Sequence, residues 1–135
     1  MDTLKRTDPE RADPKEFIAR FFTSFTDDLV HTEEDAAAVV DRYHTQDVVQ
    51  IADGLRIDRG RLIAHCRPVR KNRPESRIEV HEAMADGDRI AARYTLHVRQ
   101  RGKDLEIEVS FFGRFTSDGR MREAHLLTRS EKTSG

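Results

Sequence analysis

Residues 86–121 read DGDRIAARYTLHVRQRGKDLEIEVSFFGRFTSDGRM, and apolar and polar side chains alternate along most of this stretch. Ile90, Ala92 and Tyr94 fall on one side of the alternation, and glycine-containing turns interrupt it at 86–88, 101–103 and 117–119. A period of two predicts β-strands, since successive side chains of a strand point to opposite faces. Short glycine turns between such runs predict hairpins. The stretch therefore predicts an antiparallel meander, which the same period extends back to about Arg77 and on to about Arg129.

Before the meander, the apolar residues of the chain have the spacing of a helix instead. Asp13 can cap a helix and Pro14 suits its first position. Apolar residues then recur on one helical face: Phe17, Ile18, Phe21, Phe22 and Phe25. A second helix is expected to begin at Thr32, a short strand to cover Asp47–Ile51, and a third helix to run from about Arg61 to Val69, where Pro68 bends or ends it. Three helices before an antiparallel sheet predict an α+β domain.

Composition limits the class of protein. The 135 residues suit one domain, with 1–12 expected as a flexible arm, 13–130 as the domain and 131–135 as a flexible tail. With a formal net charge of −1, the chain lacks the excess of basic residues that is typical of a nucleic-acid-binding protein. No apolar run approaches a membrane span, and nothing at the N-terminus reads as a secretory signal. The one cysteine, Cys66, excludes an internal disulfide and a cysteine-based zinc site. We expect a cytoplasmic protein without metal or cofactor.

Five short segments in a fixed order carry a resemblance to a known fold family. They are YHTQDVV at 43–49, DG at 53–54, GRLI at 60–63, GDRIAARY at 87–94 and FTSDGRM at 115–121. Together they resemble the nuclear transport factor 2-like superfamily, which includes ketosteroid isomerases and SnoaL-like polyketide cyclases. The resemblance implies a cone of three helices on a curved, mainly antiparallel sheet, with a pocket at the wide end. It also implies a homodimer, often formed through the convex face of the sheet.

The best-known chemistry of that superfamily does not carry over residue by residue. Where the resemblance places the tyrosine donor of ketosteroid isomerases, this chain has Phe21, and Phe111 stands at the position of their protonated aspartate. Their general base falls at Ala52 or Asp53. Limonene-epoxide hydrolases use an aspartate where this chain has Leu126. Steroid isomerisation and epoxide hydrolysis are therefore both disfavoured.

Four side chains remain as candidates for acid–base work. Asp53 or His65 could abstract a proton, and Tyr43 or Tyr94 could stabilise an enolate oxygen. We expect Asp53 and His65 to face one cavity, although an ordinary turn aspartate and a packing histidine are the alternatives. The pocket wall is expected to include Phe17, Phe21, Ile63, Phe111 and Leu126. The other histidines are assigned to the surface, with His31 and His44 at helix ends, His97 at a strand end, His125 pointing outward and the direction of His81 left open.

Two functional hypotheses follow. The first is a SnoaL-like enzyme, a cofactor-free cyclase, isomerase or dehydratase acting on a small apolar metabolite that bears a ketone. The second is a catalytically silent ligand-binding or dimerisation domain, which an apolar or filled cone would favour. The basic segment Arg67–Arg73 complements a helix dipole, or it docks an acidic carrier protein or a phosphorylated thioester substrate.

Overall fold

The computed structural model describes residues 13–132, so the predicted arm at 1–12 and residues 133–135 of the predicted tail lie outside the described residues. Within these residues, three helices and six strands follow one another. They are α1 (Pro14–His31), α2 (Ala36–Tyr43), β1 (His44–Ala52), β2 (Leu55–Asp58), α3 (Arg59–Asn72), β3 (Glu75–Asp86), β4 (Arg89–Gln100), β5 (Lys103–Phe115) and β6 (Met121–Lys132). The last strand thus reaches two residues into the predicted tail.

The strands form one mostly antiparallel sheet in the order β2-β1-β6-β5-β4-β3. The predicted meander is confirmed as β3 to β6, each antiparallel to the next. Among the strands of residues 13–132, only β1 and β6 pair in parallel. The three helices pack on one face of the sheet, which confirms the predicted α+β fold. We call the helix-covered face the inner face and the opposite one the outer face.

The short strand β2 was not predicted. It pairs with β1 across the turn Asp53-Gly54, where both residues have positive φ, 51° and 84°. Two such residues suit the tight hairpin turn whose twist matches that of the flanking strands. The turn could be read from the sequence, but four residues with a single buried side chain, Ile57, give too short an alternation to identify a strand.

The first helix begins as predicted but ends later. The Asp13 carboxylate accepts a hydrogen bond from the Lys15 amide at 3.1 Å, and Pro14 follows at the first position. The helix continues to His31, and Thr32, predicted to start α2, instead ends α1 and donates its hydroxyl to the Asp28 carbonyl at 2.5 Å. The second helix starts four residues later, after Asp35.

The third helix does not stop at Pro68. It continues to Asn72 and closes at Arg73, which takes a left-handed conformation (φ 44°) and donates its amide to the Val69 carbonyl at 2.9 Å. Proline removes one helical hydrogen bond but leaves the later turns possible when they are held from outside. Here Arg70 supplies such a hold, because its Nε donates to the Leu29 carbonyl at the end of α1 at 2.8 Å.

Two apolar clusters form the core. The larger lies between α1 and the inner face of the sheet and contains Phe17, Ile18, Phe21, Val48, Ile90, Ala92, Tyr94, Val109, Phe111, Phe115, Met121 and Ala124. The smaller joins the three helices through Leu29, Val39, Val40 and Cys66. The helices therefore serve as a lid on the sheet.

Candidate functional site

Aromatic rings fill the space between α1 and the sheet. The ring centre of Phe21 lies 5.3 Å from that of Phe115 and 5.1 Å from that of Phe22. Phe22 continues the stack to Tyr94 at 5.4 Å and Phe111 at 5.8 Å. Ring pairs at these distances are in direct contact. Phe21 and Phe111 thus point inward as predicted, and both are buried in the larger core cluster.

The other three predicted wall residues divide between the two clusters. Phe17 is buried and its ring meets that of Phe115 edge-on at 5.0 Å. Leu126 is half-buried against the same cluster. Ile63 packs against the smaller cluster between the helices, away from the predicted wall. Its position on α3 faces Leu29 and Val39 and not the sheet, which sequence spacing alone does not distinguish.

Asp53 acts as a structural link. Its side chain is exposed, and its two carboxylate oxygens accept hydrogen bonds from the Thr128 amide at 2.8 Å and the Thr128 hydroxyl at 2.5 Å. The hydroxyl, followed by the amide, lowers the pKa of this carboxyl from its usual 3.8. A carboxylate with a lowered pKa and both oxygens occupied is a weak general base at neutral pH.

His65 lies on the exposed side of α3. The prediction that His65 and Asp53 face one cavity is therefore wrong. Leu62 points toward the core, but His65, three residues later on the same helix, points to solvent.

The two candidate tyrosines are placed in different surroundings. The Tyr43 hydroxyl donates to the Asp28 carboxylate at 2.5 Å, which occupies it within the helices. Tyr94 is buried in the large cluster between Phe22 and Phe111. Burial, with Asp28 adding to it at Tyr43, raises the pKa of both phenols. The four predicted catalytic residues are thus spread over a sheet edge, a helix exterior, a helix junction and the core.

His44 was assigned to the surface, and the structure buries it. Its ring nitrogen Nδ1 donates to the Val40 carbonyl at 2.9 Å, and its ring lies edge-on to Phe21 and Phe25. Burial lowers the pKa of His44 from its ordinary 6.5. Strand β1 follows α2 directly at His44, with no loop between them. Recognising this junction in the sequence would have placed His44 inside the protein.

The outer face of the sheet holds a groove with a volume of about 600 Å³. One row of paired residues crosses it over five strands: Ile51, His125, Phe112, Ala91 and Met84. Met84 is 72% exposed, Leu127 69% and Phe112 49%. His125 lies in this row and is exposed, which agrees with its predicted outward direction. The row is an exposed apolar surface on the face of the sheet opposite the helices.

The other end of the outer face is polar. His97 Nε2 lies 2.9 Å from a Glu79 carboxylate oxygen, and its Nδ1 lies 3.3 Å from one of Glu106. His81, left open from the sequence, sits at an irregularity of β3 and makes a 2.7 Å hydrogen bond to the outer-face hydroxyl of Thr95. These cross-strand pairs bound the apolar row on one side.

A small cleft of about 150 Å³ opens on the inner side, between α1 and the start of β3. Phe22, Ile78 and Leu96 form its apolar part, while Asp27 and Arg77 stand at its rim. Ligand pockets usually measure about 300–1,000 Å³. The cleft is therefore too small for a polycyclic metabolite.

Two further findings concern metal binding and membrane crossing. Within residues 13–132 the His, Cys, Asp and Glu side chains form no group of three or more that could hold a metal ion. None of the helices in that range combines the length and the apolar content that a membrane crossing requires.

Comparison with known proteins adds three findings. The sequence profile of the SnoaL-like domain matches residues 18–124. No curated protein matches the sequence. Among solved structures, IdmH from Streptomyces antibioticus, described as a proposed polyketide cyclase, is 18% identical, with a TM-score of 0.62 over 89% of this chain and 93% of that one.

Two other solved structures are similar to the same extent. An epoxide hydrolase of the limonene-epoxide hydrolase-like type from M. tuberculosis has 18% identity and a TM-score of 0.62, over 84% of each chain. A protein from Planctomyces limnophilus has 15% identity and a TM-score of 0.63, over 87% of this chain and 98% of that one. At these identities the likeness concerns the fold, which is shared by proteins of different activity.

Proposed function

The chain belongs to the SnoaL-like domain family, and we propose that it works as a homodimerising member of that family without an acid–base catalytic centre. The observation that carries the proposal is the apolar row on the outer face beside a cone filled with aromatic rings. Exposed apolar patches of this kind mark protein interaction sites in soluble proteins. A second copy of the chain is the partner that the family resemblance favours.

The outer face is large enough for such an interface. Strands β3 to β6 have 12 or 13 residues each, so their common face measures about 40 Å by about 19 Å, or about 760 Å². A standard interface buries about 800 Å² on each partner. Two copies related by a two-fold axis through this face would each cover Met84, Phe112 and Leu127 of the other.

The filled cone argues against the first hypothesis of an acid–base enzyme. Such an enzyme needs a titratable group and a hydrogen-bond donor within reach of the same substrate atoms. In the described chain Asp53 binds Thr128, Tyr43 binds Asp28, Tyr94 lies among rings and His65 faces outward. Each group is occupied or separated from the others, which supports the silent domain.

Sedimentation velocity at micromolar concentration tests the proposal. We expect a species of about 31 kDa, twice the chain mass of 15.6 kDa. Phe112→Ser should shift the protein to monomer, because it removes the centre of the apolar row. Leu55→Ser is the matched control: Leu55 is also 49% exposed but lies off the row, on the edge strand β2. A monomer of the parent protein at these concentrations would refute the proposal.

A SnoaL-like small-molecule enzyme remains the second candidate, and the 150 Å³ inner cleft is the observation that favours it. Nuclear magnetic resonance titration with small ketones at millimolar concentration tests it. Binding in the cleft should shift the resonances of Phe22 and Ile78, and Ile78→Phe should abolish the shifts by filling the space. Unchanged spectra across the ketone series would eliminate this candidate.

A further inference from the structure

Helix α3 carries a concentration of positive charge that the dimer proposal does not use. Residues 59–73 contain six of the 24 basic residues and no acidic residue. The other 120 residues hold eighteen basic residues against 25 acidic ones, a net charge of −7. The near-zero net charge of the whole chain is therefore the sum of one basic helix and an acidic remainder.

The helix divides this segment cleanly into two sides. Leu62, Ile63, Cys66 and Val69 turn toward the protein and pack with the two clusters. At 100° per residue, an arc of about 160° on the opposite side of the helix contains Arg61, His65, Arg67 and Lys71. All four are exposed. We call these four residues the basic face of α3. The residues between them on this side are Gly60, Ala64, Pro68 and Asn72, which are all small or short.

Within residues 13–132, the cations of the basic face have no acidic partner. Arg59, at the start of the helix, pairs with Asp41 through two hydrogen bonds of 2.7 and 2.9 Å, and Arg70 binds the Leu29 carbonyl. Arg61, Arg67 and Lys71 make no ion pair within the described residues, whereas cations elsewhere do, as Arg42 does with Asp28. The helix dipole stabilises Lys71 in the last turn, but it disfavours Arg61 in the first turn. Like charges spaced four residues apart, as Arg67 and Lys71 are, also repel each other, so the stability of the domain does not explain the whole arrangement.

We propose that the basic face of α3 docks an acidic helix of another protein. Arg61 and Lys71 are ten residues apart, which corresponds to about 15 Å, or nearly three turns, along the axis. Carboxylates repeated every three or four residues along a partner helix would meet these cations in turn. The short side chains between them allow the partner to approach closely, and complementary charge would speed encounter and fix orientation.

Two other anionic partners fit less well. A membrane-binding helix places large apolar side chains beside its cations for insertion, but the large apolar residues of α3 face the core. A nucleic acid presents negative charge over a long distance and would also meet the acidic remainder of the chain, with its net charge of −7. A short acidic segment meets only the basic face.

Fluorescence anisotropy with a synthetic peptide tests the proposal. The probe is a fluorescein-labelled helical peptide of about 18 residues with Glu at every third or fourth position. We expect binding to the intact protein that weakens as salt is raised. The triple variant Arg61→Gln/Arg67→Gln/Lys71→Gln should bind the peptide about tenfold more weakly. The variant Arg61→Lys/Arg67→Lys, which keeps the charge, should bind it like the parent.

The matched control is Arg89→Gln/Arg101→Gln/Lys103→Gln, which removes three exposed charges on the sheet hairpins and changes the net charge equally. It should bind within about twofold of the parent. Equal weakening by both triple variants, or tighter binding to duplex DNA or to phosphatidylserine vesicles than to the peptide, would overturn the proposal. If the triple variant does not fold, Arg61→Gln and Lys71→Gln singly should each weaken peptide binding about threefold, and failure of both to do so refutes it. This test does not depend on the oligomeric state.

Discussion

At the scale of single residues, Asp53 shows how a chemically suggestive side chain can serve as a clamp. It lies in a left-handed conformation at the β1–β2 turn, donates its amide to the Leu126 carbonyl at 3.0 Å and accepts from Thr128 through its side chain. These contacts fasten the β1–β2 hairpin to β6. The same position next to a strand end suggested a general base, because the sequence does not reveal that Thr128 lies opposite.

Replacing Asp53 is expected to loosen this clamp. Asp53→Ala loses both side-chain hydrogen bonds and places a residue poorly suited to positive φ, so the melting temperature should fall by a few degrees. Asp53→Asn keeps an acceptor and tolerates the conformation, so it should fall less. Asp86→Ala, an exposed aspartate at another hairpin, is the control in thermal unfolding. Equal melting temperatures for all three variants would contradict the clamp.

His44 predicts a pH dependence of stability. Its pKa in the folded protein is lowered by burial, so the unfolded chain binds its proton more readily. Stability from this residue is therefore present above about pH 6.5 and is lost as the pH falls below that value, with a slope of at most about 1.4 kcal/mol per pH unit. Urea unfolding between pH 8 and pH 5.5 should reveal it. The dependence should shrink in His44→Gln and persist in His31→Gln, an exposed control.

At the scale of elements, α1 is held by the rings on its inner side. Phe21 is only 5% exposed and contacts rings from α1, α2, β1 and β5. Phe21→Ala should lower the free energy of unfolding by about 3–5 kcal/mol, since it leaves a cavity in a filled core. Phe21→Leu, which keeps most of the volume, should cost clearly less. A loss below about 1 kcal/mol for the alanine variant in chemical denaturation would show that the core closes over the gap.

Helix α3 contains a proline in its interior. Pro68 lies inside the helix and supplies no amide for the hydrogen bond to Ala64. Pro68→Ala should raise the free energy of unfolding by up to about 3 kcal/mol. Ala64→Gly, one turn earlier on the same exposed side, is the opposite control and should lower it by about 1 kcal/mol. A destabilised Pro68→Ala protein would mean that the bend at proline is required for packing.

At the scale of the whole molecule, one face of the sheet is covered by helices and the other is exposed and partly apolar. If the exposed face is covered by a second copy, folding and association are coupled, and stability depends on concentration. The melting temperature should then rise as the protein is concentrated from about 1 to 100 µM, and it should not in Phe112→Ser. A melting temperature independent of concentration in the parent protein would argue against a dimer that contributes to stability.

Local patterns in the sequence were sufficient for the fold. Alternation in residues 86–121 identifies β3 to β6, and the cap at Asp13 with the phenylalanines after it identifies α1, because strand and helix periods are properties of neighbouring residues. The resemblance to the family rested on five short segments at 43–49, 53–54, 60–63, 87–94 and 115–121. The boundaries at Thr32 and Pro68 were misplaced, since the contacts that decide them come from Asp28 and from Leu29 on another element.

The site could be decided only by the tertiary structure. Whether Asp53 acts as a base or as a structural link depends on Thr128, which is 75 residues away along the chain. Whether His44 is exposed to solvent or buried depends on Phe21 and Phe25. Whether the cone is open depends on how rings from α1, β4 and β5 meet. Sequence spacing gives the side of an element on which a residue lies, whereas reactivity depends on the groups that face it, and those come from distant parts of the chain.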